Sequence, residues 1–87
     1  MSEADDRVAV TAEEAWPSDA EVDEGVVVNW FKREGATVNE GDTLCEIQVE
    51  KVSLDVPAPV EGTLAEVVLD EDDEFERTAT IAYIEPS

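Results

Sequence analysis

The chain contains itself twice, and that repeat constrains its fold more than any single residue does. Displaced by 37 positions, residues 24–47 align without a gap on residues 61–84 of the 87-residue chain. Five of the 24 positions are identical: Glu24-Gly25 with Glu61-Gly62, Glu34 with Glu71, Thr43 with Thr80, and Ile47 with Ile84. The apolar positions carry more weight. Val27, Val28, Trp30, Phe31, Val38, Leu44 and Cys45 fall on Leu64, Ala65, Val67, Val68, Phe75, Ile81 and Ala82. Two matched apolar patterns predict two similar half-domains packed face to face.

Each half reads as β-structure. Val26 to Phe31 is a β-branched and aromatic run between Gly25 and Gly35. Leu44 to Val49 and Val52 to Val56 make two short strands, and Thr63 to Leu69 and Thr80 to Ile84 repeat the scheme. An opening strand at Arg7 to Thr11 alternates at Val8 and Val10. Asn39-Glu40-Gly41-Asp42 is turn chemistry, with Gly41 free to take positive φ. Pro57 and Pro59 cannot sit in mid-sheet, so they mark a strand end and the passage into the second copy. No segment keeps the helical period for long. The fold class is all-β.

Composition narrows the function. A chain this short forms one small domain with a thin core. It has no His, hence neither the usual general base nor the commonest metal ligand. Its single Cys45 excludes an internal disulfide, and its alignment with Ala82 reads it as a small buried hydrophobe rather than a redox thiol. Asp70-Glu71-Asp72-Asp73-Glu74 lacks the ligand spacing and Gly turn of a calcium loop and reads as a solvated turn. Trp30 and Phe31 read as core. Residues 1–6 read as a mobile acidic terminus, and residues 7–85 as the domain proper.

Twenty-four acidic residues against five basic ones give a net charge of −19, which disfavours nucleic acid and anionic membranes as partners. Such a surface is that of a protein from a very salty cytoplasm, where cations screen the repulsion; a basic partner surface is the rival explanation. No basic start precedes an apolar stretch, and no segment is long enough to span a bilayer, so the chain reads as cytoplasmic.

The two copies are joined by residues 48–60, which the pseudo-symmetry matches with the chain ends rather than with another internal segment. This connector is therefore the place for something unique, and it holds Glu50-Lys51-Val52 between two strands. Over residues 17–84 the order of parts is specific: a Gly-bounded strand, EG-x-x-V-x-x-GD-x-L, an acid-Lys-hydrophobic triplet, then V-P-x-P-V-x-G. In that order the chain resembles the lipoyl domains of 2-oxo acid dehydrogenase complexes.

The resemblance implies a flattened β-barrel (barrel-sandwich hybrid) of two four-stranded sheets related by a quasi-twofold axis. It implies that Lys51 protrudes at a tight hairpin and is lipoylated, with lipoic acid as covalent cofactor. Glu50 then stands where Asp is usual and Val52 where Ala is usual, the two residues flanking the lysine that help the attaching enzyme to recognise it. Pro17 to Glu24 would be the surface loop beside the hairpin, used in partner recognition. The implied partners are a lipoate ligase or a lipoyl synthase/transferase, and the dehydrogenase, acyltransferase and dihydrolipoyl dehydrogenase components of the complex. On this reading the domain is a swinging-arm carrier, not an enzyme.

The second copy departs from the first at Asp72 and Thr78, which stand in place of Gly35 and Gly41. The family usually keeps Gly at the latter position, so a different backbone conformation is expected there. Lys32, the other lysine, aligns with Leu69 and reads as lying along a strand. A biotin carrier is the main alternative, although biotinyl domains usually place Met on both sides of the lysine. The glycine-cleavage H-protein, a typically longer family, and an unmodified β-module that docks a partner are the others. Because side chains alternate faces along a strand, register decides where the lysine points. Moving it to position 50 or 52 is expected to abolish modification while the fold persists, checked by intact mass and circular dichroism of each shifted variant.

Overall fold

The computed structural model describes residues 7–87. Its strands are β1 (Val8–Thr11), β2 (Glu24–Trp30), β3 (Thr37–Val38), β4 (Thr43–Val49), β5 (Val52–Pro57), β6 (Gly62–Val67), β7 (Glu74–Glu76) and β8 (Thr80–Pro86), with one short 3-10 turn at Glu13–Ala15. They form two four-stranded antiparallel sheets, ordered β1-β8-β6-β3 and β5-β4-β2-β7. The all-β architecture of two four-stranded sheets is as expected, but the sheets keep open edges and do not close into a full barrel. The expectation for residues 1–6 lies outside the described residues.

The repeat is realised strand by strand. Shifting β2, β3 and β4 by 37 residues lands on β6, β7 and β8, and β5 then corresponds to β1, so each sheet maps onto the other. Registers follow. Gly25 faces Phe75 as Gly62 faces Val38, and Ile47 faces Leu54 as Ile84 faces Val8. Both copies carry a β-bulge at the same point, between Val27 and Asn29 and between Leu64 and Glu66. The core is built from matched pairs buried between the sheets: Val27 with Leu64, Val38 with Phe75, Leu44 with Ile81, Ile47 with Ile84.

Several repeated identities have a shared physical reason. A Cβ on Gly62 would overlap the Glu85 carbonyl across the ladder, and one on Gly25 would crowd the matching Gln48 oxygen at 3.1 Å. Glycine is kept in both copies because a neighbouring strand's backbone occupies the space of a side chain. Glu34 accepts a hydrogen bond from the Val67 N–H at 2.8 Å, and Glu71 accepts one from Trp30 N–H at 3.0 Å. Each carboxylate thus crosses to the other copy and takes a backbone donor left free where the bulged strand ends.

Two expectations need correction. Phe31 is 53% exposed and lies beyond the end of β2, not in the core. The bulge shifts the in-out alternation, and the strand ends at Trp30; the matching Val68 is exposed for the same reason, at 43%. Lys32 likewise lies past β2 in the connection to β3, its amine 3.9 Å from Asp42. The short strands β3 and β7, two and three residues long, went unread. The different conformation expected at Thr78 is present. Positive φ occurs at Gly41 (92°) but not at Thr78, whereas Asp72 keeps the left-handed conformation of Gly35 (74° and 89°). Pro57 closes β5, as read.

Gly62→Ala is expected to destabilise the domain by about 3 kcal/mol, because backbone must move to admit the methyl group. Gly25→Ala, with its looser contacts, is expected to cost about 1 kcal/mol. Urea denaturation of the two variants measures the difference.

Candidate functional site

Three of the five basic residues are engaged in surface ion pairs. Arg7 lies 3.2 Å from Glu66, and Arg77 and Lys32 lie 3.9 Å from Asp23 and Asp42. Lys51 makes no ion pair among the described residues and is exposed.

Its position follows from the longest ladder in the molecule. β4 and β5 pair through Glu46↔Asp55, Ile47↔Leu54 and Gln48↔Ser53 to Val49↔Val52, leaving Glu50 and Lys51 as a two-residue turn. Val49 is buried and anchors one leg of the hairpin, whereas Val52 is 46% exposed. A two-residue closure needs positive φ at one or both central residues. Glu50 supplies it, at 56°, and is with Asp72 one of two described non-glycine residues in that region. A left-handed glutamate costs about 1 kcal/mol or more, carried by the ladder on either side. The turn takes the strain at position 50, so Lys51 stands at the crest. The pseudo-twofold carries this hairpin onto the gap between β8 and β1, where the described chain has its ends. The hairpin therefore has no internal counterpart, as the repeat implied.

The segment between β1 and β2 runs beside the hairpin. Pro17, Asp19, Ala20 and Glu21 face Val49, Glu50, Lys51 and Val52 across a groove. What holds the segment there is Trp16, which the sequence reading passed over. Only 5% exposed, it meets Phe75 edge-on, with ring centroids 6.1 Å apart at 81°. Its indole N–H donates to the Val22 carbonyl at 3.1 Å, and its ring packs where a side chain on Gly25 would stand. Trp16 thus pins both ends of the loop to the sheet that bears Lys51. The available signal was weak: a Trp-Pro dipeptide at the edge of an acidic stretch.

Among the described residues no group of three or more Cys, Asp or Glu side chains is arranged to hold a metal ion. No helix of the described residues is long and apolar enough to cross a membrane.

The described chain thus presents a single closed hairpin bearing an exposed lysine, on two sheets exchanged by a pseudo-twofold. A family model described as "Biotin-requiring enzyme" (Biotin_lipoyl) matches residues 16–84. The chain belongs to the biotin/lipoyl-attachment family. It is 41% identical over 63 residues to the dihydrolipoyllysine-residue acetyltransferase component of the pyruvate dehydrogenase complex of Corynebacterium glutamicum, a match covering 72% of this chain and 9% of that protein. The same component from Staphylococcus epidermidis is 44% identical over 50 residues, covering 58% and 12%. The matches thus span about a tenth of the length of these relatives. The solution structure of the lipoyl domain of the 2-oxoglutarate dehydrogenase complex from Azotobacter vinelandii superposes with a TM-score of 0.69 at 26% identity, over 91% of this chain and all of that one. Urea carboxylase from Kluyveromyces lactis shares the fold, with a TM-score of 0.66 at 23% identity over 88% of this chain and 7% of that one.

Cys45 is fully buried, and burial, with the Asp55 carboxylate adding to it, pushes the thiol from an ordinary 9.0 up to about 12. The folded chain holds this proton more tightly than the unfolded one. The resulting stability is complete below about 9 and is lost as pH climbs toward about 12. Cys45 is expected to resist a disulfide reagent such as DTNB at pH 8 and to react within minutes once urea unfolds the domain. Rapid labelling of the native protein, followed at 412 nm, is the contrary outcome.

Proposed function

We propose that Lys51 is the covalent attachment point of a lipoyl group, and that the domain, spanning residues 7–85, carries acyl groups and reducing equivalents between enzymes of a 2-oxo acid dehydrogenase-type system. The observation that carries this reading is the placement of Lys51. It is an exposed primary amine, without an ion pair among the described residues, at the crest of a two-residue hairpin in a chain of the attachment family. A primary amine suits an amide bond, and no part of the described chain competes for it.

When bound, the dithiolane supplies the acyl-transfer and redox chemistry. The chain's own residues do the rest. Glu50 absorbs the backbone strain of the turn, and Val49 ties the hairpin to the core. The β4–β5 ladder keeps the attachment point from drifting relative to the sandwich. A tether on a fixed post raises the effective concentration of the carried group at a docked partner, which a free intermediate cannot match. Glu50 and Val52 would be read by the attaching enzyme, a lipoate ligase or transferase, together with the acidic loop alongside. The dehydrogenase, acyltransferase and dihydrolipoyl dehydrogenase components would be the successive hosts of the arm.

Lipoyl is favoured over biotin because the curated relatives named above are dihydrolipoyllysine proteins and because Glu50 and Val52, not Met, flank the lysine. The net charge of −19, left after all five basic residues are counted, supports a cytoplasm rich in salt as the setting.

Intact mass and peptide mapping of the chain isolated from its native host test the proposal. A lipoyl adduct confined to Lys51 and absent from Lys51→Arg is expected. A biotin adduct, or an unmodified Lys51 in growing cells, would overturn it.

A further inference from the structure

Val52 sits directly after Lys51 and leaves about half of its side chain uncovered. It opens the edge strand β5 and is 46% exposed, beside the one lysine that the fold presents at a hairpin tip. Across the groove stand Pro17 and Ala20, the latter half-buried and packed against the core. Lys51 itself lines this groove, so anything attached to its amine starts inside it. The loop wall is held in shape by the Trp16 indole on the Val22 carbonyl and by Ala20 N–H donating to Pro17 at 3.2 Å. The rim is acidic, with Asp19, Glu21 and Glu50.

On the reading of Lys51 as the attachment point, we infer that this groove is a resting seat for the acylated arm. The occupant is a neutral, amide-linked hydrocarbon chain on Lys51, lying between Ala20 and Pro17 on one side and Val52 on the other. The chemistry changes at attachment. A free amine carries a positive charge toward the acidic rim, whereas the amide has none, and what remains for the arm is apolar contact. Because the chain is tethered at the groove's edge, weak burial suffices to hold it for part of the time. The arm then divides its time between this seat and the open swing. A docked enzyme must draw it out, and between visits its reactive end is partly shielded from water.

The test uses the full 87-residue chain assembled by peptide ligation with Nε-octanoyl-lysine at position 51, compared with the free-amine chain. Nuclear Overhauser contacts from the octanoyl methylenes to the methyl groups of Ala20 and Val52 are expected, with chemical-shift changes confined to residues 17–21 and 49–52. Val52→Asp and Ala20→Glu are each expected to lower the seated population about tenfold by placing a charge in the wall. Val52 is exposed, so its variant keeps the fold even if the one at Ala20 does not. Octanoyl signals with the narrow lines of a free chain and no contact to either wall overturn the inference, as do contacts unchanged in Val52→Asp. Since the octanoyl group is installed synthetically, this result is separate from whether cells load Lys51, which the native-host mass measures.

Discussion

Everything that places Lys51 depends on the β4–β5 ladder keeping its pairing from Cys45↔Val56 to Val49↔Val52. Two-residue closures tolerate no slack: a slip by one residue would exchange the inward and outward faces of β5 and draw its core residues out of the interior. Val49 and Val56, both fully buried, oppose such a slip. The left-handed glutamate at position 50 is the local cost of that closure. It falls directly beside Lys51, at the crest of the turn.

The pseudo-twofold gives this hairpin its singular character. Two copies of one strand scheme pack their apolar faces together, and each sends a carboxylate, Glu34 or Glu71, to bind the backbone of the other. The result is a symmetric body with one asymmetric event. Of the two equivalent β-ribbon ends, one is closed by Glu50-Lys51 and the other is formed by the ends of the described chain. A carrier needs a single attachment point on a stiff support, and a duplicated sandwich with one closed end provides it.

Much of this was legible in the residues. The repeat at 37 positions, the strand runs, the strand end at Pro57 and the burial of Cys45, which aligns with Ala82, were all open to pattern reading, because strand period and turn chemistry are local properties. Phe31 and Lys32 were misread for one reason. The apolar run from Val26 to Phe31 carries no mark of the bulge at Val28 or of the strand end at Trp30, so both residues were read as if the strand went on. The strands β3 and β7 are too short to show any period. The role of Trp16 depends on Phe75 and Gly25, neither of them near it in sequence, and no local pattern announces such a contact.

By itself the sequence determined that the chain is a duplicated all-β unit and that Lys51 lies in its one unrepeated connector. Both are matters of order along the chain. Tertiary structure decided what surrounds that lysine. The loop from Pro17 to Glu21 stands beside the hairpin with Trp16 buried against Phe75, and Lys32 is set apart from Lys51 because β2 runs antiparallel to β4 and carries its Lys32 end away from the hairpin. Spacing along a chain can specify a turn, but which surfaces meet across that turn is settled by packing between segments distant in sequence.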